Sequence, residues 1–416
     1  MQEVERPLYR YMVFVLAAFA FAGLVHQGPA VAFRGLLVLL QTPTRLISDF
    51  TVIGGIGATL LNASLVGAIA LVIVRLNGVR LAGPTIAGVF TMMGFSLFGN
   101  TPVNISSIML GVYLAGRISG KSFKQYLLIG FFGTALGPLA DFIAFDAGFT
   151  GVAGIAAGAA IGVLAGMILP ALAIAMLRLH QGFSLYNIGL TAGFIGLFAS
   201  SLLVAARHDL ALGVIWNSTP DPILYLAIPI LSTLTIVYGI ALEGKKALTG
   251  FIGIMKLGGR LPSDFMEMVS NGATLVNMGV LGLLGSVYIL AVGGDFNGPT
   301  LGGLMTIMGF ASFGKHPRNC APVMAGVLAS TLVFGKSPSA PGPLLAFLFG
   351  TTLAPLAGEF GPMAGFIAGF LHLVIVERSA AWHGGLNLYN NGFAGGLTAT
   401  LIVAMIEWYR SNKNNR

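Results

Sequence analysis

The fold is decided by a segment that occurs twice in the chain. Residues 83–104 read GPTIAGVFTMMGFSLFGNTPVN, and residues 298–319 read GPTLGGLMTIMGFASFGKHPRN. The offset of 215 residues between these copies aligns residues 46–122 with residues 261–337 without a gap, and 30 of the 77 aligned positions are identical. A repeat of this length and identity indicates an internal duplication.

Both halves have the composition of a membrane protein. Of the 416 residues, 56% are hydrophobic and 9% are charged, and the mean hydropathy is +0.88, whereas soluble domains carry about 25% charged residues. We predict that residues 1–210 and 215–416 are the two repeats of one transmembrane domain. Runs long enough to cross a ~30 Å hydrocarbon core are residues 9–26, 51–76, 125–145, 151–177 and 184–206, and then 222–242, 266–291, 341–357, 361–376 and 387–408.

The quoted segments differ from these spans. Residues 83–118 and 298–333 each consist of two apolar pieces that are interrupted by glycine and proline. Pieces of about 15 residues reach only about 22 Å as helices. The sequence therefore predicts an all-α integral membrane protein, in which each half has about five transmembrane helices plus a re-entrant hairpin or a broken-helix pair.

The number of spans predicts that the repeats are inverted. Each half crosses five times and a hairpin adds zero or two crossings, so the second half enters from the opposite side. Cytoplasmic loops carry an excess of Lys and Arg. With both termini cytoplasmic, 15 of the 22 cations lie inside and 5 outside, while Lys315 and Arg318 fall at the second break.

Inverted repeats with interrupted segments at equivalent positions are typical of a transport pathway. Broken backbone at membrane depth is tolerated only where protein or a water-filled cavity satisfies it. We expect both breaks to line the pathway, and the second break carries two cations where the first is neutral, which favours an anionic solute. The alternative is a neutral solute bound by the two asparagines. The expected pathway residues are Asn100, Thr101, Pro102, Asn104, Lys315, His316, Pro317, Arg318 and Asn319.

Other polar residues also recur in both halves. One interpretation of the recurring aspartates is helix N-capping, and the other is a salt bridge that gates the pathway. The recurring tyrosines and asparagines either line the pathway or anchor helix ends at the membrane interface. These residues are Arg45, Asp49, Arg260 and Asp264, and Tyr186, Asn187, Tyr389 and Asn390.

Several functions are not expected from this sequence. No nucleophile with a neighbouring base and no metal-ligand cluster appears, so we expect neither an enzyme nor a cofactor or metal site. The net charge of +8 comes without a basic patch interleaved with aromatics, so no nucleic-acid partner is expected. The expected partners are a small-molecule solute and the lipid bilayer. Ridges of small residues, such as Gly154, Gly158 and Gly162, favour close helix packing, within the chain or in a homo-oligomer.

The repeated motifs GPT, MGF, FGxxPxN and LYNxG resemble those of an uncharacterised bacterial family of polytopic membrane proteins with an internal duplication. This resemblance implies a bacterial cytoplasmic membrane. The layout is similar to that of urea transporters, and nucleobase and sulfate transporters fit if the hairpins cross fully. The expected function is a transporter or channel for a small polar solute, preferably an anion. The alternatives are a channel for a neutral, urea-like or amide-like solute and a membrane scaffold or receptor without transport.

Overall fold

The computed structural model describes residues 5–414, which form the same series of ten α-helices twice. The first series is α1 (Arg6–Gln27), α2 (Pro29–Leu39), α3 (Phe50–Ile53), α4 (Ile56–Leu76), α5 (Gly83–Phe95), α6 (Pro102–Ile118), α7 (Leu127–Gly133), α8 (Gly137–Asp141), α9 (Gly151–His180) and α10 (Asn187–Ala205). The second series is α11 (Pro222–Glu243), α12 (Lys245–Ile254), α13 (Phe265–Met268), α14 (Asn271–Ala291), α15 (Gly298–Phe310), α16 (Pro317–Val333), α17 (Pro341–Phe349), α18 (Ala354–Phe360), α19 (Pro362–Trp382) and α20 (Asn390–Asn414).

Ten helical segments in this part of the chain are long and apolar enough to cross a membrane. They are α1, α4, α9 and α10, the segment Leu127–Asp146 that contains α7 and α8, and the five equivalents in the second half. Their positions match the ten predicted runs, so the predicted all-α membrane fold is confirmed. Run length alone is a strong signal here, because an apolar run of about 20 residues is typical of a transmembrane helix.

Two short helices were not predicted. Helix α2 has 11 residues and α12 has 10, so neither can span the membrane. Each follows the first span of its half after a glycine with positive φ, Gly28 at 75° and Gly244 at 60°. A residue with a Cβ rarely adopts this conformation. The glycine therefore lets the chain change direction between two consecutive helices.

The breaks between α5 and α6 and between α15 and α16 lie where the sequence predicts them. Proline occupies the first turn of α6 and α16, at Pro102 and Pro317, where a missing N–H costs nothing. Helix α5 packs on α4 and on α15, whereas α6 packs on α9. The two arms of each broken pair therefore separate at the break and join different neighbours.

The predicted runs 51–76 and 266–291 begin with the separate short helices α3 and α13. Two other predicted spans are interrupted near their middle. The sequence predicts continuous runs over 125–145 and 341–357, but a 3₁₀ turn divides α7 from α8 at Thr134–Leu136 and α17 from α18 at Gly350–Leu353. Thr134 and Thr351 are fully buried in these turns. Each half therefore contains two interrupted elements that meet in its interior.

The two halves pack through equivalent helices that run antiparallel. A Cβ on Gly94, near the end of α5, would lie 2.7 Å from the carbonyl oxygen of Gly302, near the start of α15. At one end of this contact, Ser312 after α15 donates to the carbonyl of Gly83 at the start of α5, at 2.6 Å. Helices α10 and α20 cross at the equivalent glycines 189 and 392. These two helix pairs form the centre of the molecule.

Candidate functional site

The hairpin breaks are closed by residues that the sequence places in a pathway. Thr101 and Asn104 form a capping box, in which the Asn104 side chain accepts from the Thr101 N–H at 2.9 Å. His316 and Asn319 form the equivalent box, with the Asn319 side chain accepting from the His316 N–H at 2.9 Å. Such boxes satisfy N–H groups that a helix start leaves free. These four side chains start α6 and α16.

The amide groups of the two asparagines are also bonded within the fold. Asn104 Nδ2 donates to the Gly99 carbonyl and to Asp141 Oδ2, each at 2.9 Å. Asn319 Nδ2 donates to the Gly314 carbonyl, also at 2.9 Å. The two amides thus hold the breaks in shape. Asp141 was not predicted as a site residue, although a lone carboxylate in an apolar run is a signal of function.

The equivalent positions 100 and 315 differ in what they contact. Asn100 Nδ2 donates to Thr134 Oγ1 at 2.9 Å. Lys315 is fully buried, and its Nζ donates to the hydroxyl of Tyr186. The same Nζ lies 4.4 Å from the ring centroid of Tyr186 and 5.1 Å from that of Phe310. Lys315 takes part in none of the ion pairs formed within residues 5–414.

A row of four aromatic rings crosses the interface between the halves. Phe95 contacts Tyr389 at a centroid distance of 4.9 Å, Tyr389 contacts Tyr186 at 4.6 Å, and Tyr186 contacts Phe310 at 4.5 Å. The row is symmetric, because Phe95 and Phe310 are equivalent, as are the tyrosines. The Tyr186 hydroxyl accepts from Lys315 Nζ. The hydroxyl of Tyr389, by contrast, is buried and has no partner.

A cavity of about 550 Å³ ends at this tyrosine pair. Such a volume is within the range of small-molecule sites. Arg178 is the one charged residue of the lining, and the other polar side chains are Gln181, Asn187 and Ser263 besides the tyrosines. The apolar walls include Leu128, Ile129, Phe132, Leu185, Leu261 and Phe313. Lys315 lies one hydrogen bond beyond this cavity, behind Tyr186.

Arg318 does not share this cavity with Lys315. Its side chain is exposed, and it lines a separate cavity of about 290 Å³ with Lys256, His316 and Asn319. Lys315 and Arg318 were expected to act together at one tip. The structure separates them, because Lys315 precedes the N-cap of α16 and is buried, whereas Arg318 lies on the exposed side of the first turn.

The symmetric counterpart of the cavity is covered by the linker between the halves, residues 206–221. Residues 46–48 are equivalent to the lining residues 261–263. Here the Asp49 N–H donates to the Ile215 carbonyl at 3.1 Å, and the Ile215 N–H donates to the Ile47 carbonyl at 3.0 Å. Leu210 and Leu212 of the linker lie against Gly384 and Gly385. The linker therefore occupies the place of an opening.

Side chains fix the linker to the start of α15. Trp216 Nε1 donates to Asp295 at 2.8 Å, and Ser218 Oγ donates to the same carboxylate at 2.9 Å. Asn297 Nδ2 donates to the Asn217 carbonyl at 3.0 Å. These polar contacts close this end of the molecule. The cavity at the other end has no equivalent of the linker, so such contacts cannot form there.

Asp49 and Asp264 are helix N-caps that also reach across to the other half. Asp49 Oδ1 accepts from the Thr51 N–H at 2.9 Å and from the Gly298 N–H at 3.2 Å. Asp264 Oδ1 accepts from the Met266 N–H at 2.9 Å, and its Oδ2 accepts from the Gly83 N–H at 3.2 Å. Each carboxylate thus joins the short helix α3 or α13 of its own half to the first turn of α15 or α5.

Arg45 and Arg260 contact other partners than these aspartates. The Arg45 guanidinium lies 4.4 Å from the ring centroid of Phe142 and forms an ion pair with Asp146. The Arg260 guanidinium lies 4.2 Å from the ring centroid of Phe183. Within residues 5–414, neither aspartate belongs to an ion pair, and the gating salt bridge stays a prediction.

Asn187 and Asn390 each bond a histidine at the end of the preceding span. His180 Nε2 lies 2.9 Å from Asn187 Oδ1, and His383 Nε2 lies 3.0 Å from Asn390 Oδ1. These pairs join α9 to α10 and α19 to α20. Each tyrosine lies in the turn that its histidine–asparagine pair closes. Asn187 also lines the cavity. No group of three or more His, Cys, Asp or Glu side chains within residues 5–414 is placed to hold a metal ion.

Of the residues predicted to line a pathway, only Tyr186, Asn187 and Tyr389 line this cavity. The sequence analysis did not single out its walls or Arg178, since they come from elements far apart in the chain. The repeated LYNxG motif was the one signal that led to the cavity floor.

Comparisons with known proteins identify one family. Neither the curated proteins nor the solved structures include a match to this chain. A family described as a protein of unknown function (DUF1576) matches residues 29–205 and 243–408. The second range begins 214 residues after the first, close to the offset of the internal repeat. Because the two ranges cover most of its length, the chain belongs to this family of unknown function, DUF1576.

Proposed function

We propose that this protein transports a small anionic solute across a membrane, through a site at the interface of its two halves. The observation that carries the proposal is a cavity of about 550 Å³ that ends at Tyr186 and Tyr389, while the linker covers the symmetric position. A transporter exposes a central site to one side at a time, commonly by moving one repeat against the other. Equivalent elements with one open and one covered mouth support this cycle.

The charges of the site support an anion. Arg178 is the one charged residue of the cavity lining, and Lys315 lies directly behind the floor. A buried ammonium without a neutralising carboxylate is costly in the membrane and commonly marks a substrate or ion pathway. An anionic solute would offset that cost. A neutral, amide-like solute was expected to use Asn104 and Asn319, whose amides bond within the fold.

The orientation in the membrane follows from the cations. The proposed arrangement is an inverted repeat with both termini cytoplasmic, in a bacterial cytoplasmic membrane. Arg178 and Arg260 then lie on the cytoplasmic side with the mouth of the cavity. The antiparallel packing of α5 and α15 supports the inversion, because equivalent helices of an inverted repeat run in opposite directions. In this state the site faces the cytoplasm.

Uptake by reconstituted vesicles tests the proposal. Liposomes that contain the purified protein should take up radiolabelled acetate or benzoate faster than protein-free liposomes. A bulky thiol reagent should block this uptake when the protein carries Ser263→Cys in a Cys320→Ala background. Ser263 lines the cavity, and Cys320 is the single cysteine of the chain. The matched control is Lys124→Cys, an exposed position that does not line the cavity.

Other outcomes would assign a different function. Uptake of urea but of neither anion would support the neutral-solute channel. Rates equal to those of protein-free liposomes for all three solutes would overturn transport and leave the scaffold or receptor alternative.

A further inference from the structure

We infer that the cavity binds an amphipathic organic anion, a carboxylate on an aromatic or branched apolar body, rather than a small inorganic anion. This inference rests on the proposed function and specifies the class of its substrate. It follows from three properties of the same site: apolar walls, an unpartnered hydroxyl on the lining residue Tyr389, and a buried lysine bonded to the other lining tyrosine.

The walls select for an apolar body. Leu128, Ile129 and Phe132 line one part of the cavity, and Leu185 and Phe313 line another. An inorganic ion would lose its hydration against these side chains without gaining hydrogen bonds. An aromatic or branched aliphatic group instead removes apolar surface from water, which is worth about 25 cal/mol per Å².

The tyrosine pair includes a hydrogen-bond donor that the fold does not use. Tyr389 lines the cavity and is 1% exposed, and its hydroxyl has no partner. Buried polar groups nearly always have a partner. The hydroxyl of its counterpart Tyr186 already accepts from Lys315. A ligand oxygen that accepts from Tyr389 would remove the one unsatisfied group of this tyrosine pair.

The charge behind the floor selects a carboxylate over a neutral acceptor. Lys315 Nζ has the Tyr186 hydroxyl as a neighbour and two aromatic rings around it, and no carboxylate forms an ion pair with it within residues 5–414. In a setting of low dielectric, its attraction for an anion is much stronger than in water. Arg178 in the lining has the same sign, so it adds to the attraction for an anion.

Binding to the purified full-length protein in detergent tests this inference without any transport step. The probes are benzoate, benzamide and acetate, measured by isothermal titration calorimetry. Benzoate should bind at least tenfold more tightly than benzamide, which lacks the charge, and than acetate, which lacks the apolar body. Lys315→Gln should weaken benzoate binding roughly tenfold or more, as expected for loss of a charge-assisted contact, and Tyr389→Phe should weaken it by roughly fivefold.

Matched controls keep the result specific. Lys124→Gln and Tyr409→Phe change exposed side chains of the same type and should leave the Kd for benzoate unchanged. Lys315→Arg keeps the charge and should bind benzoate more tightly than Lys315→Gln. Equal affinity for benzoate and benzamide would overturn the anion, and equal affinity for benzoate and acetate would overturn the apolar body.

The two proposals fail in different ways. If benzoate binds as described and vesicles carry none of the solutes, transport is wrong and the binding site stands. If vesicles carry acetate and benzoate does not bind, the amphipathic ligand is wrong and transport stands.

Discussion

Position 315 shows how one residue makes two nearly identical segments different. In both halves an asparagine of the preceding span donates to the backbone carbonyl of the tip residue. Asn62 in α4 donates to Asn100 at 2.8 Å, and Asn277 in α14 donates to Lys315 at 2.7 Å. The backbone of the break is therefore held in the same way. Only the side chain differs, and it replaces a neutral amide with a buried amine. A duplicated fold can acquire a binding site by such a change without altering its framework.

We expect Lys315→Asn, which copies the first tip, to raise the stability of the unliganded protein. Desolvating an ammonium without an ion-pair partner costs several kcal/mol, and its replacement should add about 1–3 kcal/mol to the free energy of unfolding. Unfolding in sodium dodecyl sulfate measures the change, with Lys124→Asn as the exposed control, which should stay within about 0.5 kcal/mol. A loss of stability would show that the fold itself needs the lysine.

Asp49 should be important for stability, because it satisfies N–H groups in both halves. Its side chain is fully buried and accepts from Thr51, Gly298 and Asn217. Asp49→Ala leaves these donors without a partner and should cost about 2–4 kcal/mol, more than the ~1 kcal/mol of an ordinary N-cap. The exposed Asp209→Ala is the control. Thermal midpoints should separate the two variants, and equal midpoints would contradict the role of Asp49.

At the level of helices, sequence reasoning succeeded where a signal is local. The ten spans follow from run length, and the breaks at 96–101 and 311–316 follow from glycine and proline. The division of α7 from α8 at the 3₁₀ turn Thr134–Leu136 was missed, although Gly137 and Pro138 directly after the turn are a local signal of a break. Helices α2 and α12 were missed because they are too short to give a span.

The binding site was predictable only in part, for a physical reason. Tyr186 and Tyr389 belong to a repeated motif, so the sequence indicates them. The walls that surround them come from α7, α9 and the segment before α13, and only packing brings these together. The side chains of Asn104 and Asn319 were expected in the pathway. A capping asparagine and a solute-binding asparagine look the same in a sequence.

The antiparallel contact of α5 and α15 depends on glycine. A Cβ at Gly302 would lie 2.6 Å from the carbonyl oxygen of Gly94, closer than backbone atoms can approach. Gly302→Ala should therefore push the halves apart and lower the thermal midpoint by several degrees, as other overpacked interiors do. Gly253→Ala in α12 is the control, since nothing lies within 4 Å of its Cβ position. Equal thermal midpoints for Gly302→Ala and Gly253→Ala would show that this contact does not hold the halves together.

At the scale of the whole molecule, the pseudo-symmetry is broken by the connection between the halves. A duplicated chain needs a linker only once, and here residues 206–221 pass over the position that is equivalent to the cavity mouth. The two sides of the central site are consequently different. In a transport cycle, the cavity must close at one end, and the linker must move away from residues 46–48 at the other.

Cysteine labelling at one symmetric pair measures this difference. Ser263 lines the open cavity, and its equivalent Ser48 is buried beneath the linker. In a Cys320→Ala background, Ser263→Cys should react with a water-soluble maleimide, whereas Ser48→Cys should be protected.

Asp295 holds the linker by accepting from both Trp216 and Ser218. Adding Asp295→Ala should therefore raise the labelling rate of Ser48→Cys several-fold, because a buried site reacts only when it opens. Asp209→Ala, within the linker but exposed, should leave that rate unchanged. With Asp295 intact, equal labelling rates for Ser263→Cys and Ser48→Cys would show that the linker does not cover Ser48. This result would contradict the one-sided access on which the proposed transport rests.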